Sequence, residues 1–134
     1  MRLSRTLAYA LQATLQLARQ RSTGVPIRGC VLAAEGGIPE RFLLQVLRGL
    51  VQRGILRSTR GAGGGYFLHR NPAEISLLEM IEAIDGPLVT TFPSYEGLPL
   101  ESKSKLTHAL SGVTEQARRD LHLIKLAHLL PSSD

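Results

Sequence analysis

The string Arg60-Gly61-Ala62-Gly63-Gly64-Gly65 constrains this 134-residue chain more than any other segment. Glycines at that density end helices and leave a strand nothing to pack, so the backbone has to turn there. Ile55-Leu56-Arg57-Ser58-Thr59 precedes the string and Tyr66-Phe67-Leu68 follows it. Both flanks read as short strands, so the whole spells a β-hairpin with a permissive tip. A nucleotide-binding loop fits poorly, because such a loop joins a strand to a helix and is followed by Lys and Ser or Thr.

Upstream, apolar residues at 7, 8, 11, 15 and 18 predict a first helix over about residues 5–21, broken by Ser22-Thr23-Gly24-Val25-Pro26. Gln12, Gln16 and Arg19 interrupt the apolar run, so it is no membrane span. A second helix is expected at 28–35 with Val31 and Leu32 inward, stopped by Gly36-Gly37. A third is expected at 39–53, with Pro39 at its first position, Phe42, Leu43, Val46, Leu47 and Leu50 inward, and Gly54 closing it. Its polar face presents Arg41, Gln45, Arg48 and Gln52.

Beyond the hairpin, Ser76 and Glu79 form a capping box for a helix with Leu77, Met80, Ile81 and Ile84 on its apolar face, and Asp85-Gly86-Pro87 stops it. Residues 86–101 read as a loop. A last helix is expected over 103–130, where Leu106, Leu110, Val113, Ala117, Leu121 and Ile124 step by three and four. The resulting fold class is mainly α. A winged helix-turn-helix head over 1–87 carries a two-stranded β-wing, a linker spans 88–102, and a C-terminal dimerisation helix spans 103–134.

Charge agrees with that division. Residues 1–70 hold eleven arginines, no lysine and two acids, a net +9, whereas residues 71–134 carry a net −4. A basic half of this kind points to a polyanion, and double-stranded DNA suits the element order. Arginine and glutamine on an exposed helix can pair with base edges in the major groove, while an arginine at a wing tip suits a narrow minor groove. Arg41, Gln45 and Arg48 qualify for the first role and Arg60 for the second. The polar face of the helix could equally be a plain solvated surface. The plain reading of the wing is a tolerant turn; the alternative is a tip at which Gly63 and Gly64 bring backbone N–H groups against phosphates.

Cys30, the only cysteine, excludes a disulfide framework within the chain and favours a reducing, cytoplasmic setting. It has two readings, a small core residue or a thiol sensor at the first turn of a helix. No carboxylate pair, nucleophile–base set or cofactor fingerprint supports an enzyme. The apolar stripe of the last helix exceeds what a head of this size could cover, so a homodimer is expected.

Met1-Arg2-Leu3-Ser4, Tyr9-Ala10, Gly37-Ile38, the wing string with Tyr66, Ile75-Ser76-Leu77 and Ile84-Asp85-Gly86-Pro87 together resemble the Rrf2 family of bacterial winged-helix regulators. The resemblance implies a dimer on a pseudo-palindrome, commonly as a repressor. It puts Arg41 and Gln45 at base-reading positions, Phe42 and Arg48 beside them, and Arg60 with Tyr66 on the wing. Arg2, Ser4 and Arg5 fall at a phosphate-contacting N-terminus. Leu44 stands where some relatives carry a base-reading glutamate, and Ala62 replaces a wing proline. Cluster-binding members place three cysteines before the dimer helix, whereas residues 88–105 have none. His108 matches a ligand position, yet one imidazole cannot hold a cluster, so no cofactor and no metal is expected. Control by a partner enzyme docked on the acidic half is the alternative to sensing through Cys30.

Overall fold

The computed structural model describes residues 1–132; residues 133 and 134, at the end of the expected 103–134 segment, lie outside the described residues. Three helices, α1 (Arg5–Arg19), α2 (Gly29–Gly36) and α3 (Glu40–Gln52), precede a hairpin of β1 (Arg57–Thr59) and β2 (Gly65–Phe67). Then come α4 (Leu77–Asp85), the long α5 (Leu100–Leu123) and a final turn, α6 (Leu126–Leu129).

The core forms around α1, which packs against α2, α3 and α4. Leu7, Leu32, Leu43, Leu47, Leu50 and Met80 are fully enclosed there, each burial stabilising the fold by about 1.5–3 kcal/mol. α1 starts at Ser4, whose hydroxyl accepts the Leu7 N–H at 3.0 Å and donates to the Asp85 carboxylate, 2.8 Å from Oδ1. One hydroxyl thereby caps α1 and ties it to the end of α4. That tie is the structural use of the Asp85-Gly86-Pro87 stop.

Several expectations are corrected. The buried stripe of α1 runs through Leu7, Ala10, Ala13, Thr14 and Leu17, while Ala8 is exposed and Leu11 and Leu15 are half-buried. Small residues on that stripe allow close helix packing. α2 turns Leu32 and Ala33 inward and leaves Val31 41% exposed, because a helix of two turns has only one narrow packing face. Pro39 sits at the N-cap of α3, one residue ahead of its expected position. Phe42 points off the core and meets Tyr9 of α1 edge-on, with ring centroids 5.6 Å apart. Half of the expected capping box forms: Ser76 accepts the Glu79 N–H at 3.0 Å, but the Glu79 carboxylate pairs with Arg70.

The largest correction concerns the C-terminal helix. It begins at Leu100 and breaks after Leu123, where Ile124 and Lys125 become extended. The Ile124 carbonyl accepts the Leu77 N–H at 2.7 Å and the Leu126 N–H donates to the Ile75 carbonyl at 2.9 Å. Leu77 opens α4 and would otherwise carry an orphan N–H, so the break in one helix satisfies the start of another. Leu121 and Leu126 are buried in the same core as α1. Residues 121–126 are therefore strapped to the head.

Replacing Ser4 with Ala removes both a cap and the tie to Asp85. The loss should be about 1–2 kcal/mol, read as a lower urea midpoint. An unchanged midpoint would contradict the role given to this hydroxyl.

Candidate nucleic-acid interface

α2, the Gly37-Ile38 turn and α3 make the helix-turn-helix. Ile38 is buried and its N–H reaches the Ala33 carbonyl at 2.9 Å, which holds the turn against the end of α2. With Leu43, Val46, Leu47 and Leu50 inward, α3 presents Arg41, Gln45 and Arg48 to solvent on one face. Together with Glu40 and Leu44 they line one shallow depression. Leu44 itself is half-buried over the start of α2, where a Cβ on Gly29 would overlap its Cδ2. It acts as a spacer that sets α3 against α2.

The hairpin pairs Arg57 with Phe67, Ser58 with Tyr66 and Thr59 with Gly65 in antiparallel register. A third backbone segment joins it: the Ile27 N–H donates to the Tyr66 carbonyl at 2.9 Å and the Tyr66 N–H to the Ile27 carbonyl at 2.8 Å. This seam requires glycine at position 65, which has φ +151° and where a Cβ would lie 2.5 Å from the Ile27 carbonyl oxygen. Gly64 is equally constrained, since a Cβ there would lie 2.5 Å from the Thr59 carbonyl oxygen. Gly64 is buried and shapes the turn, while Gly63 and Arg60 are exposed at the tip. Tyr66 is half-buried against the Gly29 and Leu44 junction, so it supports the wing from beneath.

Arg28 is a residue that the sequence reading missed. Its guanidinium donates to the Ala62 carbonyl at 2.8 Å, which clamps the wing tip to the start of α2. Periodicity carries no signal for it, because it lies just outside a helix; its membership of the arginine-only half was the available clue. At the N-terminus, Arg2 and Arg5 are exposed, whereas the Ser4 hydroxyl is already committed to Asp85. Cys30 lies in the first turn of α2 and is exposed, which overturns its reading as a core residue. On α5, Leu106, Leu110 and Val113 are exposed, Ala117 is half-buried and Leu121 belongs to the chain's own core, whereas Ile124, expected on the same stripe, lies past the end of α5 and is half-buried.

An arginine- and glutamine-faced helix locked beside an arginine-tipped hairpin defines a winged helix-turn-helix protein. Relatives agree. The family model described as Rrf2, iron-dependent transcriptional regulator, matches residues 3–132. An HTH-type transcriptional regulator of Mycobacterium tuberculosis (strain ATCC 25618 / H37Rv) is 42% identical over 90 residues, which cover 67% of this chain and 55% of that protein, little more than half its length. The HTH-type transcriptional regulator IscR of Klebsiella pneumoniae (strain 342) is 31% identical over 135 residues, covering 100% of this chain and 82% of IscR. Among solved structures, CymR, the global cysteine regulator of B. subtilis, shares the fold with a TM-score of 0.77 at 22% identity, covering 100% of this chain and 99% of CymR. A transcriptional regulator from Listeria innocua matches with a TM-score of 0.74 at 31% identity, covering 100% of this chain and 90% of that one. This chain belongs to the Rrf2 family of DNA-binding transcriptional regulators.

The family description names iron, but the donor set here does not fit an iron–sulfur cluster. Its one thiol is Cys30 on α2, and His108 lies on α5. Among the described residues, no three His, Cys, Asp or Glu side chains gather into a group that could hold a metal ion. No helix of the described residues is long and apolar enough to cross a membrane.

The wing seam gives a direct test. Gly65→Ala should lower stability by about 1–3 kcal/mol and abolish slow amide exchange at Ile27 and Tyr66. Gly63→Ala, whose Cβ meets open space, should stay within about 0.5 kcal/mol of the parent. Equal effects of the two changes would refute the seam.

Proposed function

We propose that this protein is a cytoplasmic, dimeric repressor that binds a pseudo-palindromic operator without an iron–sulfur cluster. The observation that carries the reading is the union of the start of α2 with the wing through Ile27, Tyr66 and Arg28, with Leu44 of α3 packed at the same junction. It presents Arg41, Gln45 and Arg48 to a major groove and Arg60 to the adjacent minor groove as one surface. Arg2 and Arg5, exposed at the start of α1, supply phosphate contacts. Two heads are joined through α5, whose Leu106, Leu110 and Val113 present an apolar stripe to solvent. Such a stripe on a helix of 24 residues suits an identical partner helix. Binding of such a dimer over a promoter would exclude polymerase.

Fluorescence anisotropy with duplexes from the upstream region of its own gene tests this. Affinity should fall steeply with salt, each neutralised phosphate adding about 0.9 to the log–log slope. Gln45→Ala should cost about 1–3 kcal/mol at its base pair, and Arg60→Ala should weaken A/T-rich flanks selectively. Val113→Asp should give a folded monomer that has lost tight operator binding. Salt-insensitive binding, or equal affinity for random duplex, would refute the proposal.

A second reading concerns the signal. The exposure of Cys30 on α2, within the helix-turn-helix, favours control by thiol oxidation, and the relatives of known structure include an oxidised form of Staphylococcus aureus CymR. Peroxide treatment should then release DNA from the parent protein and leave Cys30→Ser bound. Equal release from both would exclude it.

A further inference from the structure

The end of α5 is anchored to the head by Leu121, by the Ile124–Leu77 and Leu126–Ile75 hydrogen bonds and by buried Leu126. An anchor fixes where a helix leaves a domain; its direction needs a second point. That point lies one turn earlier. Arg118 Nη1 is 2.6 Å from Glu82 Oε2 of α4 and donates to the Leu88 carbonyl at 3.0 Å, while the Leu88 N–H donates to Glu82 Oε2 at 2.9 Å. The Glu82 and Arg118 side chains are 25% and 30% exposed. The Arg118 guanidinium and the Leu88 N–H hold the Glu82 carboxyl below the usual carboxylate range, so the pair stays charged near neutrality.

Two further ion pairs are seen among the described residues. Arg70–Glu79 is internal to the head and Lys105–Glu101 is internal to α5. Thr90 fastens the loop to Thr114 and to the Leu110 carbonyl, and so to α5 alone. Glu82–Arg118 is thus the ion pair that crosses from head to long helix, and it gathers the loop between them at Leu88.

We infer that Arg118 is a positioning residue that sets the angle of the DNA-reading head to α5, and through it the spacing of operator half-sites the dimer accepts. The inference rests on the dimer proposed above. A half-buried ion pair contributes little net stability, because desolvation offsets attraction, yet a planar guanidinium imposes direction that a point charge does not. Leu106 to Val113 lie about 8–18 Å along α5 from Arg118 at 1.5 Å per residue. With the head held in its groove, a change of about 10° at the joint moves the far end of that arm by about 3 Å, near the 3.4 Å step of one base pair. Two-fold symmetry applies the shift at both heads.

The test uses the full-length protein and an operator selected by the parent protein from randomised duplex. Affinities are measured for that operator, for versions with one or two base pairs added or removed between half-sites, and for an isolated half-site. The parent should favour its own spacing by about 100-fold, as expected when two heads are linked rigidly. Arg118→Gln should reduce that preference to about tenfold or less while leaving half-site affinity unchanged. Arg118→Lys, which retains charge but loses the fork, should fall between them and serves if the glutamine variant does not fold. Uniform loss at every spacing, or an undiminished preference, would overturn the inference. Absence of dimers or of duplex binding by the parent would instead overturn the proposed function.

Discussion

The two hydrogen bonds between Ile27 and Tyr66 are the constraint on which the rest of the head depends. A three-residue hairpin arm has little stability alone, since an isolated two-stranded ribbon buries too little to hold its shape. Pairing with Ile27 turns it into part of the same body as α2 and α3. That pairing is possible because Gly65 has no side chain, and it is reinforced where Gly29, Leu44 and Tyr66 pack together. Arg28 then fastens the tip. A helix and a wing that must address two grooves at once gain specificity only if neither can drift relative to the other.

α5 is polar over most of its length and buries only Leu121 in the core, so its own packing does not decide where it points. Direction comes from side-chain and backbone hydrogen bonds contributed by Ile75, Leu77, Glu82 and Leu88, all in or beside α4. The same α4 is tied to the beginning of α1 through Ser4 and Asp85. α4 therefore connects the N-terminus of the head to the long helix.

What could be read in the sequence was local. The glycine string forced a turn, and the spacing of Leu43, Val46, Leu47 and Leu50 defined α3 and hence its outward face. The +9 half identified the class of ligand. The break after Leu123 could not be read, because no Gly or Pro marks it and its cause is pairing with Ile75 and Leu77, more than forty residues earlier. Phe42 and Val31 were apolar at helical spacing, and only the tertiary arrangement decides that they face outward. The Ser4 hydroxyl and the Arg28 guanidinium were legible as polar groups but not as ties, since their partners lie elsewhere in the chain.

In the proposed complex one head reads two adjacent grooves, and two such heads act together. Footprinting the bound operator with dimethyl sulfate and hydroxyl radicals tests it most directly. Protected guanine N7 atoms are expected in two major-groove patches about one helical turn apart, each flanked outward by minor-groove protection that Arg60→Ala removes. Protection of the sugar–phosphate backbone without protected guanine N7, or a single unpaired patch, would contradict it.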